Sequence, residues 1–352
     1  MRFLKRLLPA LCVLLAPQAQ ARGFETDFAD STIRLDYVFG GTNRTPDINL
    51  ARTLRLDGWS GRRHNLDRLP LAGNGRLTVT DPVSGDTLYR TSFSSLYNEW
   101  LVLDDSVSRA FEVSVLMPSP KHPVKVDLHV YDNNGVAVSG HRHYLDPADI
   151  LIRRPAAVGY DTVMVHRGNF DGNKIQVVIL PEGFRADEMD KFHDFARRTV
   201  KAVFAHEPFG SLSERFDFIA VDVPSRDSDV SVPKDGIWRD TAFGSHFSTF
   251  YSDRYLTTPN VFAVHDALVG VPYEHIIILA NTDVYGGGGI YNSYTLTTTG
   301  NPKFEPVVVH EFGHSFGGLA DEYFYEDDPM AASYPAGVEP WEPNITTLAD
   351  FG

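Results

Sequence analysis

Two domains of different class are predicted: an all-β sandwich, then a mixed α/β domain. Three observations carry this reading. Apolar residues alternate with period two up to about residue 150. Beyond it they form continuous runs and a helical stripe. A length of 352 residues suits two cores rather than one. Apolar content of 43% with 22% charged residues speaks against intrinsic disorder, a collagen-like repeat or a coiled coil. The 46 acids outnumber the 32 Lys and Arg, for a net charge of −14. That balance speaks against a nucleic-acid or anionic-membrane partner, since both need clustered bases.

The chain opens on a leader. Arg2, Lys5 and Arg6 are basic, Leu7 to Ala16 is an apolar run too short to span a bilayer, and Ala19-Gln20-Ala21 is a small-x-small site. Residues 1–21 therefore read as a signal peptide, cleaved on export to the periplasm or the exterior. Nothing after residue 21 reads as a transmembrane helix. Cys12, the only cysteine, leaves with the leader, so the mature chain has no disulfide and no thiol ligand. Three bases leave as well, taking the net charge from −14 to −17.

Residues 22–150 are assigned to the sandwich. Ile33, Leu35, Tyr37 and Phe39 face one way, with Arg34, Asp36 and Val38 between them. The same alternation recurs at Phe111, Val113, Val115 and Met117, and at Val124, Val126, Leu128 and Val130. Turn signals at Asn74-Gly75, Asp81 to Gly85 and Asp132 to Gly135 separate the runs. His141 and His143 read as a polar strand face. No recognisable constellation falls within 24–150, so a chain starting near Val158 is expected to cleave a small peptide.

Residues 151–160 read as a linker and 161–352 as the second domain. Ile175 to Leu180 is a buried strand. Ala186 to Ala205 is an amphipathic helix with Phe192, Phe195, Ala196, Thr199 and Val203 on one face. Phe218 to Val223 and His275 to Ala280 are further strands, followed by a last helix over 306–316.

That helix carries His310-Glu311-x-x-His314. Four residues is about one turn, so both imidazoles share one face and can reach one ion. Glu311 projects beside them, placed to take a proton from an ion-bound water. Gly313-x-Ser315-x-Gly317 overlaps this segment and has the pattern of a serine nucleophile elbow. No histidine follows His314, so a Ser-acid-His order cannot be completed, and the metal reading is preferred.

Gly317-Gly318 can close the helix with a left-handed turn and send the chain back. Asp321 is then the first acid to return as a third ligand, with Glu322 an alternative ligand or a hydrogen-bond acceptor for a ligand imidazole. Glu326 and Glu339 also qualify by charge. The layout resembles the metzincin arrangement, one residue out of register, and Met330 is a candidate Met-turn residue. Tyr323 is a candidate oxyanion stabiliser.

HEFGHSFGGLADEY resembles the signature of the bacterial IgA-protease-like zinc metallopeptidases. Val178 to Phe184, Phe243 to Phe247, Tyr285 to Tyr291 and Glu342-Pro343-Asn344-Ile345-Thr346-Thr347 are similar to other segments of that family. The resemblance implies a zincin-like catalytic domain behind a β-rich domain, one catalytic zinc and a protein or peptide substrate. Family members continue beyond Asn344-Ile345-Thr346, so it also implies that the chain is truncated at its C-terminus. In such an enzyme an edge strand pairs with extended substrate, and Gly286, Gly287, Gly288, Gly289 and Tyr291 are placed there. Glu326, Asp327 and Asp328 are a weaker candidate for calcium. Two other functions stay open: a zinc amidase acting on a non-protein amide such as peptidoglycan, and a non-catalytic surface-binding protein. Oligomeric state is not legible.

Overall fold

The computed structural model describes residues 23–348, apart from 43, 104–106, 324–333 and 336. The predicted leader, Met330 and the acids Glu326, Asp327 and Asp328 lie outside the described residues. No helix among those described is long and apolar enough to cross a membrane.

The first part of the chain runs α1 (Phe24–Asp27), β1 (Phe28–Thr42), β2 (Thr45–Asp57), β3 (Gly75–Thr80), β4 (Thr87–Phe93), α2 (Leu96–Leu101), β5 (Arg109–Pro120), β6 (Val124–Tyr131) and β7 (Ala137–Leu145). The strands form two antiparallel sheets, ordered β2-β1-β5 and β4-β3-β6-β7. Ile33, Leu35, Tyr37 and Phe39 of β1 share one core with Leu77 and Val79 of β3 and Val126 and Leu128 of β6. Both sheets thus bury their period-two apolar face against the other.

The opposite face of β1 is buried too. Arg34 and Asp36, two residues apart and so on one face, are fully shielded. They pair through Nε–Oδ1 at 2.9 Å and Nη2–Oδ2 at 2.7 Å, and the Ser114 hydroxyl donates to Asp36 at 2.6 Å. Asp266, from the second part of the chain, accepts from Arg34 and from Arg52 Nη2, the latter at 2.9 Å. Charged residues at alternate strand positions look solvent-facing by pattern, yet here they pair with one another beneath a second domain, with Arg34 Nη1 left without a partner.

That second part contains β8 (Thr162–Arg167), β9 (Ile175–Glu182), α3 (Met189–Phe204), β10 (Phe216–Val221), α4 (Val261–Ala267), β11 (His275–Ala280), β12 (Gly287–Ile290), β13 (Tyr294–Thr298) and α5 (Phe304–Gly317). Its six-stranded sheet has the order β12-β13-β11-β9-β10-β8. The four inner strands are mutually parallel and both edge strands are antiparallel to their neighbours. Parallel strands are covered on both faces, which is why β9 and β11 read as unbroken apolar runs. Val177, Ile179 and Ile277 pack against Phe192 of α3 and Val308 and Phe312 of α5. Val178, Leu180, Ile276 and Ile278 face Val264 of α4 on the other side.

Glu182 ends β9 with its side chain fully buried. Its carboxylate accepts from the backbone N–H groups of Phe243 (3.0 Å) and Ser245 (2.7 Å) and from the Thr241 hydroxyl (2.7 Å). Burial pushes this carboxyl up from its ordinary value, and those donors oppose the shift. Two of the family-like segments are therefore one unit: a buried anion holding the loop that passes over it. Glu182→Ala leaves the buried donors without an acceptor and is expected to cost on the order of 3 kcal/mol in urea denaturation, and a loss under about 1 kcal/mol would refute this role.

Candidate metal centre

α5 is helical because Phe304, Val308 and Phe312 recur every four residues and bury on the sheet. The same period puts His310 and His314 on another face. The helix ends at Gly318, where φ is +61° and the N–H donates to the His314 carbonyl at 2.9 Å. A Cβ there would also lie 2.3 Å from Leu71 of the sandwich. The left-handed φ is what favours glycine here, and the chain reverses.

The reversal carries Asp321 back over the helix. Its Oδ1 lies 3.1 Å from His310 Nε2 and 3.3 Å from His314 Nε2, and the two Nε2 atoms are 3.0 Å apart. His314 Nδ1 is 2.6 Å from the Leu319 carbonyl. A carbonyl only accepts, so Nδ1 carries the proton, and in the neutral ring the Nε2 lone pair points into the triangle. With both imidazoles neutral and Nε2 unprotonated, three acceptor atoms would face one another at these separations, a set suited to sharing one cation. Ligand arms of about 2.0–2.1 Å in a tetrahedral set give edges near 3.3 Å, so the triangle fits zinc. Asp321 is held well below the usual carboxylate range: burial works against this, and the two imidazoles outweigh it. His314 resists charging through burial, yet Asp321 and Glu311 draw its pKa up to about 9.

Glu311 is buried and is not one of the converging groups. Burial pushes its carboxyl up to about 7, and the two imidazoles oppose that. β12 lies directly above. A Cβ on Gly287 would be 2.6 Å from Glu311 Oε1, and one on Gly289 would be 2.8 Å from the His314 Cβ. Gly288 is closed in by Tyr255, whose ring a Cβ would meet at 2.9 Å. Gly287 and Gly289 therefore let the strand lie against the helix that carries the site, while Gly288 faces Tyr255.

The proposed substrate strand is shorter than its sequence reading. Gly286 and Tyr291 flank β12 rather than belong to it. Gly287 is already paired at the sheet edge, donating to Arg254 O (3.3 Å) and accepting from Leu256 N–H (3.2 Å). Among the described residues that pairing reaches no further than Gly287. Tyr291 is buried beside Trp341, with ring centroids 5.4 Å apart, and its carbonyl accepts from Ser94. It joins the two domains rather than presenting an edge.

Several other sites resolve plainly. The acceptor for His314 Nδ1 is the Leu319 carbonyl, not Glu322, whose Oε1 accepts from Asn344 at 3.1 Å. Glu339 accepts from Thr346 at 3.0 Å and is not among the converging groups. The Tyr323 ring lies nearly parallel to His310 at 6.2 Å, and its hydroxyl is pushed up to about 12 by burial, with Asp321 adding to the shift. Ser315 is buried within one continuous helix and bonded to the Thr295 hydroxyl, so there is no strand-to-helix elbow. His265 is buried against the Tyr273 hydroxyl at 2.7 Å. His246 Nδ1 contacts the Phe247 carbonyl at 2.8 Å.

The sandwich supplies part of the cleft, which sequence reasoning missed. Asn74, Ser94, Asn98, Glu99 and Val102 line the same cavity as Glu311 and Asp321. Tyr255 donates to Glu99 Oε2 at 2.6 Å. Burial pushes the Glu99 carboxyl up to about 7, and the Tyr255 bond opposes the shift. Its partners are distant in sequence, so no local spacing marks it. A sequence model of the IgA peptidase M64 family matches residues 164–352, and one of the M64 peptidase N-terminal region matches residues 23–140. No curated protein matches the chain.

Proposed function

Because the chain belongs to the IgA peptidase M64 family, we propose that this peptidase is an exported, zinc-dependent endopeptidase. The observation that carries the proposal is the convergence of His310 Nε2, His314 Nε2 and Asp321 Oδ1, with Glu311 beside them. The helix, its glycine reversal and the returning acid resemble the metzincin layout. A zinc ion held by these three residues supplies Lewis acidity and a water acidified to near neutrality. Glu311 accepts the proton of the attacking water and returns it to the leaving amine. Tyr323 faces the same cleft and donates to the carbonyl oxygen as charge develops. The substrate backbone is extended along β12 past Gly287, held under the cleft wall that the sandwich forms. Export through the leader fits a mature chain without cysteine.

The mature protein should hold one zinc per chain, and chelation should stop casein hydrolysis until zinc is restored. His310→Ala and His314→Ala should each lower zinc occupancy and abolish hydrolysis. Full zinc in the double variant, read by elemental analysis, would sink the assignment of the centre. Cleavage of cell-wall fragments with no cleavage of any protein would favour a zinc amidase instead.

A further inference from the structure

We propose that Asn344 is a positioning residue for this centre, one carboxamide that holds both the His314 imidazole and the Asp321 carboxylate in place. The inference rests on the metal reading above and adds a residue that touches none of the converging atoms. Asn344 Oδ1 accepts from the Ala320 N–H at 2.8 Å, and its Nδ2 donates to the Ala320 carbonyl at 2.9 Å. One side chain thereby grips both peptide groups that flank Ala320.

Each of those peptide groups leads to a different ligand. The N–H of Ala320 belongs to the same peptide unit as the Leu319 carbonyl, which accepts from His314 Nδ1. Accepting that N–H polarises the unit and strengthens its carbonyl as an acceptor. A stronger acceptor fixes the ring and makes Nε2 a better electron donor. The next peptide unit begins with the Ala320 carbonyl and ends at the N–H of Asp321. Pinning it sets the direction in which Asp321 leaves the turn. The paired bonds imitate one rung of an antiparallel ladder, and they need a donor and an acceptor on one planar group.

Asn344 is itself held. Glu339 ties the following residues, accepting from the Thr346 hydroxyl at 3.0 Å and the Thr347 N–H at 3.2 Å. Trp341 packs on Tyr291 at the domain boundary. The segment is thus a brace seated at the domain boundary, pressed against a loop that leaves its helix through Gly318.

The test uses the full mature chain. Asn344→Ala and the near-isosteric Asn344→Leu are expected to bind zinc about tenfold to a hundredfold more weakly in competition with a chromophoric chelator. The metal-free variants should melt close to the metal-free parent, and kcat should fall more than KM rises. The cobalt-substituted variants should show a shifted visible spectrum. Parent-like zinc affinity in a folded variant overturns the proposal while leaving the centre intact. A parent chain that binds no zinc overturns the metal reading itself. Hydrogen exchange on the zinc-loaded parent supplies a check that needs no variant: the Ala320 amide should be protected, and rapid exchange there refutes the clamp.

Discussion

Glu311→Gln is expected to lower turnover by at least about a hundredfold, the scale of lost general acid-base catalysis, with zinc content unchanged. The side chain neighbours His310 in sequence but stands outside the converging triangle. Glutamine fills the same space beneath Gly287, where a Cβ would already crowd the carboxylate at 2.6 Å. Packing is therefore preserved and only the base is lost. Burial pushes the carboxyl up to about 7 while the imidazoles pull the other way. A cation in the triangle acts in the same direction as the imidazoles and favours the ionised base. Activity should accordingly fall as pH drops through the acid side of neutrality, where Glu311 becomes protonated. Metal analysis and peptide hydrolysis on one preparation decide the matter. Retained turnover means that another carboxyl takes the proton, and Glu99 would then be the first to replace.

How much of this was legible depends on how far apart the partners lie in the chain. His310 and His314 are one helical turn apart, and Asp321 follows a glycine reversal, so local geometry suffices to bring them together. The apolar face of β1 was equally legible, because period two is a property of the strand alone. What covers the other face was not. Arg34 and Asp36 look like solvated charges until Asp266, more than two hundred positions later, closes over them. Glu322 shows a subtler limit. Its charge made it one candidate acceptor for an imidazole N–H, yet a neutral carbonyl at Leu319 takes that bond from His314 because the helix cap places it there. Backbone groups have no sequence signature, so acceptors of this kind escape a reading based on side chains. The glycine run was recognised as a close approach, but what Gly287 and Gly289 approach, Glu311 and His314, is a tertiary fact.

A chain beginning at Val158 is expected to lose hydrolysis of even a short peptide, by on the order of a hundredfold, because small misplacements at a site have effects of that size. Sequence alone suggested the reverse, since 24–150 contains no recognisable constellation. The structure places that region against the site from three directions. Leu71 backs the Gly318 reversal that delivers Asp321. Ser94 N–H and the Ser92 carbonyl bond to Tyr291 and Asn292 at 2.9 and 2.8 Å, holding the turn after β12. Glu99 anchors Tyr255, which packs on Gly288. Removing the sandwich withdraws every one of these supports and also leaves Asp266 without Arg34 and Arg52. Circular dichroism and zinc content first establish whether the shortened chain is folded and loaded. If it is not folded, Glu99→Ala in the full chain carries the test, since it removes the anchor of Tyr255 while keeping both cores. Parent-like rates from a folded, zinc-loaded chain that starts at Val158 would show that the second domain builds its site alone.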